Sequence, residues 1–196
     1  MTTRTAAPTA LAAVALLLTG CSMDERGDGP APTSQQDEAV AMADRMFVAM
    51  MIPHHEQALE MSDLVLAADD VDPRVVDLAE KIKAAQAPEI ETMQRWQDDW
   101  GGPMSDMPDM GDMPGMDGHG AMMSEEDMDA LRGADGRRGA LLFLEQMIAH
   151  HRSGIAMAER EVEEGRHDGA VDLAASIVDS QAEEIESMQR LIEELR

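Results

Sequence analysis

Residues 50–61 read MMIPHHEQALEM, and residues 146–157 read QMIAHHRSGIAM. Each copy has two adjacent histidines, a methionine three residues before the first and another seven after it. The copies lie 96 residues apart and hold four of the six histidines in the chain. Further along, AQAPEIETMQRW (85–96) is matched by SQAEEIESMQRL (180–191). The chain therefore carries one unit twice, and the shape of that unit sets the fold.

The unit reads as a helical hairpin. From about residue 37 to 68, Met42, Met46, Phe47, Met50, Met51, Leu59 and Met61 recur at three- and four-residue steps, as one face of a helix requires. A second such segment runs from about Pro73, which suits a first helical turn, to Trp100, where Gly101, Gly102 and Pro103 stop it. The third segment begins between Ser124 and Gly139 and ends at Gly165. SEEDMDAL opens it or forms a short helix of its own. The fourth runs from about Asp168 to the end. Two hairpins, each with one apolar face, bury those faces together as an all-α four-helix bundle over residues 37–196, interrupted by the loop 101–123. The loop's length allows a crossover or a plain excursion.

At about 100° per residue, Met46, Met50, Met61 and His54 share one stripe, while Met51 and His55 lie at its far edge. The two histidines of a pair bracket the stripe or face two neighbouring sites. On the second and fourth segments Gln86, Glu89, Gln181 and Glu184 fall on the apolar face. A carboxylate there is costly unless paired, and a metal ion or a histidinium is one remedy. Pro53 removes a backbone bond and bends the first helix.

The loop reads GGPMSDMPDMGDMPGMDGHGAMM (101–123). Met104, Met107, Met110, Met113 and Met116 recur at every third residue, and His119 and Met122 keep the step. Gly, Pro and Asp between them give the thioethers no packing reason to be there. Thioether sulfur selects soft ions such as Cu(I) and Ag(I), and imidazole accepts Cu(II) as well. With 40 acidic against 15 basic residues the chain attracts cations and has no use for nucleic acid.

Residues 1–20 form a signal peptide: Arg4, the apolar run ALAAVALLL, then small residues ending at Cys21 in LTGC, which resembles a lipobox. The expectation is an exported protein, lipid-anchored through Cys21 outside the cytoplasm, with residues 21–36 as a flexible tether. No other membrane attachment is implied. Cys21 is the only cysteine, and no nucleophile constellation is visible, so a binding protein is expected rather than an enzyme.

The paired motifs resemble the bacterial domain-of-unknown-function 305 family, which includes CopM-like copper-binding proteins. The resemblance covers nearly all of residues 40–196. It implies a ferritin-like four-helix fold, export, and binding of copper or silver for sequestration, tolerance or transfer, with a copper-transfer protein as a candidate partner. By position it makes His54, His55, Met61, His150, His151 and Met157 the candidate ligands, with Met50, Met51 and Met147 as additions. Gln146 stands where the first copy has Met50. A di-iron enzyme is the weaker alternative, because it needs Glu-x-x-His on two helices and only Glu164 to His167 offers it, across Gly165. A non-metal envelope interaction protein is the other.

Overall fold

The computed structural model describes residues 40–102 and 122–196. These residues form five helices and no strand: α1 (Met42–Ala67), α2 (Pro73–Asp99), α3 (Glu125–Arg132), α4 (Gly136–Glu164) and α5 (Asp168–Leu195). Of the two readings left open for SEEDMDAL, the separate short helix is the one formed.

Local signals account for the boundaries. Asp72 caps α2 by accepting from the Arg74 amide, with Pro73 in the first turn. Ser124 and Asp127 close a capping box at the start of α3. His167 caps α5 through Nδ1, which accepts from the Ala170 amide at 3.1 Å. Helix α1 runs unbroken through Pro53, whose side chain is exposed.

Helix α1 packs on α2 and α4 on α5, and the two hairpins join mainly through α1 and α4. The core has two apolar clusters. One contains Phe47, Met51, Ile90, Met93, Ala174 and Ile177. The other contains Met61, Val65, Ile82, Phe143, Met147 and Met188. Each long helix passes from one cluster to the other, and each places buried polar groups at the crossing. On α1 these are His54 and His55, on α2 Gln86, on α4 His150 and His151, and on α5 Gln181. A polar layer thus separates two oily halves. The short helix α3 adds Met128 and Leu131 to the second cluster alone.

Candidate metal centre

The two histidines of each pair point in different directions around their helix, and both are buried because neighbouring helices flank α1 and α4 on two sides. His54 faces α4. Its ring stacks on His150 with centroids 3.7 Å apart and planes inclined by 27°. His54 Nε2 lies 3.1 Å from the His150 carbonyl oxygen and 2.9 Å from Ser153 Oγ, and that hydroxyl donates to the same carbonyl at 2.7 Å. His55 faces α2, where its Nε2 lies 2.8 Å from Glu89 Oε2. His151 repeats this on α5, with Nε2 at 2.5 Å from Glu184 Oε2. The site is one stacked central pair flanked by two imidazole–carboxylate pairs. His55 lies 6.3 Å from His54, and His151 lies 6.4 Å from His150, centroid to centroid.

The carboxylates Glu89 and Glu184 therefore find histidine partners, as their place on an apolar face demands. In a neutral imidazole the pairing also fixes the tautomer: Nε2–H donates to the carboxylate and Nδ1 keeps its lone pair. Nδ1 of His55, Nδ1 of His151 and both ring nitrogens of His150 lie buried with no hydrogen-bond partner among the described residues. The amides of Gln86 and Gln181 are in the same position. A buried polar group left unpaired costs about 1–3 kcal/mol, so this many in one layer leave room for bound water or a ligand to supply partners. A carboxylate holding the far nitrogen of an imidazole is the usual outer-shell arrangement around a metal-bound histidine. The donor set thus suits a metal ion that accepts imidazole nitrogen. The layer is not a preformed chelate: no three His, Cys, Asp or Glu groups among the described residues converge as a metal site. The His150 ring is held well below the ordinary histidine range by burial, and then by its neighbours His54, His151 and His55, so it is neutral and able to ligate.

Gly154 permits the close approach of α1, α4 and α5. A Cβ there would lie 2.6 Å from Gln181 Oε1 and 2.9 Å from His54 Cε1. The first copy has Ala58 at this position.

The candidate methionines lie in the two apolar clusters and along a groove. Met51 is buried in the first apolar cluster, and Met61 and Met147 are buried in the second. Met50 and Met157 line a groove between α1 and α4 that opens to solvent. Met122 is half-buried ahead of α3. Cys21, Met104, Met107, Met110, Met113, Met116 and His119 lie outside the described residues. No helix among the described residues is long and apolar enough to cross a membrane.

A carboxyl pair far apart in sequence escaped the sequence reading. Asp44 is fully buried, and its Oδ1 accepts from the amides of Arg166 (2.8 Å) and His167 (2.9 Å). Burial opposes its charge. The amides of His167, Arg166 and Ala41, with the neighbouring Glu161 carboxyl, outweigh burial and hold the carboxyl below the usual range. Glu161 is pushed up to about 8, by burial first and then by the neighbouring Asp44 carboxyl. The amide bonds to Asp44 tie the start of α1 to the α4–α5 turn. His167 in that turn also meets Trp96 and Trp100 edge-on, at centroid distances of 5.2 and 5.0 Å.

The fold and the site define a class: a four-helix bundle made of two like hairpins, with a doubled imidazole–carboxylate layer across its middle. The chain belongs to the family described as Domain of unknown function (DUF305), whose model matches residues 44–192. A DUF305 protein of Streptomyces coelicolor, designated as secreted, is 35% identical with a TM-score of 0.70, over 78% of this chain and 92% of that one. A DUF305 fragment from Deinococcus radiodurans is 26% identical, TM-score 0.68, over 79% and 98%. CopM in its Cu(II)-bound form is 29% identical, TM-score 0.64, over 78% and 97%. CopM has also been solved in Cu(I)-bound and Ag-bound forms, at 28% identity to this chain. Among curated proteins, none is significantly similar to the chain.

Proposed function

We propose that this chain is an extracytoplasmic copper-binding protein that takes up Cu(I), and also Ag(I), for sequestration, tolerance or transfer. The metal is cargo, and no turnover is assigned. The observation that carries the reading is the pair of buried imidazoles, His55 and His151, each held through Nε2 by a glutamate with Nδ1 left without a partner. CopM supports it as a relative solved with copper and with silver bound. In this reading His54 and His150 complete the layer, and Met104, Met107, Met110, Met113, Met116, His119 and Met122 add soft thioether and imidazole donors. Residues 1–20 direct export and Cys21 carries the lipid anchor.

The test is an anaerobic competition titration of the full chain against a coloured Cu(I) chelator. The chain is expected to withdraw copper from the chelator, and the double variant His55→Leu/His151→Leu to withdraw fewer equivalents. A chelator that keeps all its copper would end the proposal. For the anchor, Cys21→Ala is expected to move the protein from the membrane fraction to the soluble fraction. Unchanged membrane association would remove the lipid from the account.

A further inference from the structure

The two hairpins are copies, yet the two grooves that they form between α1 and α4 are treated differently. One groove joins the C-terminal half of α1 to the N-terminal half of α4. It is covered by α3, whose Met128 and Leu131 are buried in one cluster with Met61, Val65 and Phe143. Gln146 of α4 donates to the Asp127 carbonyl of α3 at 3.0 Å and fastens the cover. The matching groove, at the N-terminal half of α1 and the C-terminal half of α4, has no such cover among the described residues. It measures about 360 Å3 and is lined by Met42, Met46, Phe47, Met50 and Met157, together with Arg160, Glu161 and Glu164.

The residue types follow this difference. At an offset of 96, Met42, Met46 and Met50 correspond to Arg138, Leu142 and Gln146 beside the covered groove. Met157 corresponds to Met61, which is fully buried. Where α3 supplies a lid, one helix needs only an ordinary mixture of apolar and polar residues. Where the described residues leave the groove uncovered, that helix presents methionine at three positions spaced four residues apart, and Met42 is 48% exposed. Packing alone does not ask for a flexible, polarisable side chain at a half-open position. Residues 29–36, at the same offset before α3, read GPAPTSQQ and hold no large apolar side chain.

We propose that this groove is a second soft-metal site, which takes Cu(I) or Ag(I) through thioether sulfur from Met42, Met46, Met50 and Met157. The proposal rests on the soft-metal reading above, but assigns the ion to thioethers of the groove and not to the imidazole layer, whose His54 lies one turn beyond Met50 on α1. Thioether sulfur favours soft monovalent ions, whereas Zn(II), Mg(II) and Ca(II) prefer nitrogen or oxygen, which in this groove only Glu161 and Glu164 offer as side-chain donors. Met42 at the groove is 48% exposed among the described residues, whereas the imidazoles lie wholly inside.

Methyl NMR of the full chain, labelled with [13C-methyl]methionine and titrated with Ag(I), tests the site. Met→Leu single variants assign the resonances. The methyls of Met42, Met46, Met50 and Met157 are expected to shift together along one saturation curve, and excess Zn(II) is expected not to reverse the shift. The variant Met42→Leu/Met46→Leu/Met50→Leu is expected to bind one Ag(I) fewer. If Ag(I) moves other methionine methyls but not these four, or moves them along separate curves, the groove is a packing or docking surface. The proposal then fails while the copper reading stands. If Ag(I) moves no methyl at all and leaves the histidine resonances unchanged, both fail. The unsubstituted chain decides the matter even if the triple variant does not fold.

Discussion

A single carboxyl illustrates how tertiary contact overrides the chemistry of an isolated side chain. Glu161 sits on α4 at a position where the sequence suggests nothing unusual, and it meets Asp44 only because the hairpins fold together. With its pKa pushed up to about 8 in the folded chain against the ordinary glutamate range when unfolded, it keeps its proton where the unfolded chain has lost it. The native state then binds more protons, so this contribution is complete at low pH and is lost as pH rises towards about 8. Its slope is at most about 1.4 kcal/mol per pH unit. Glu161→Gln keeps the shape of the side chain and removes the titration. Urea unfolding of the metal-free chain between pH 5 and 8 should show stability falling more steeply in the parent than in the variant. Parallel curves would mean that Glu161 does not keep its proton through this range. The histidines were legible where Glu161 was not, because an adjacent pair repeated at a fixed spacing is a local pattern. Their partners Glu89 and Glu184 were legible as costly carboxylates, but not as the residues that fix the tautomers of His55 and His151.

Between elements, the approach of α4 to α1 and α5 depends on Gly154. A methyl group there would press on the His54 ring and on the buried amide of Gln181. Overpacking of this kind costs about 1–3 kcal/mol. Gly154→Ala is expected to lower the urea midpoint accordingly. Gly133→Ala serves as a control, because its Cβ would meet only the Asp129 carbonyl oxygen at an ordinary 3.5 Å, and a change within about 0.5 kcal/mol is expected there. Equal effects at the two positions would deny Gly154 its role. Helix bounds and hairpin pairing were legible because apolar periodicity persists over more than twenty residues in each long helix. Helix α3 was ambiguous because eight residues with two buried side chains carry little periodicity. That ambiguity hid the groove: on a helical wheel Met42, Met46 and Met50 look like core, and only the position of α3 shows which groove is covered.

Across the whole molecule, the polar layer lies where every long helix passes between the two apolar clusters, so an ion bound there engages ligands from both hairpins. Those ligands come together only in the folded chain. Metal held by the layer must therefore stabilise the fold by mass action, by about 2.7 kcal/mol at a free concentration one hundred times Kd. For a domain of this size each kcal/mol moves Tm by about 2–4 °C. An anaerobic thermal scan with Ag(I) or Cu(I) is expected to show a rise of roughly 5–11 °C on that arithmetic, reversed by a chelator. The donors proposed in residues 104–122 are expected to behave differently. They are neighbours in sequence, so the unfolded chain offers them as well, and binding confined to them leaves Tm nearly unchanged. Scanning the full chain beside a version with Met104, Met107, Met110, Met113 and Met116 changed to Ile separates the two. A Tm rise retained in the variant assigns the ion to the bundle. Metal uptake with no rise in either protein would remove the histidine layer from the function.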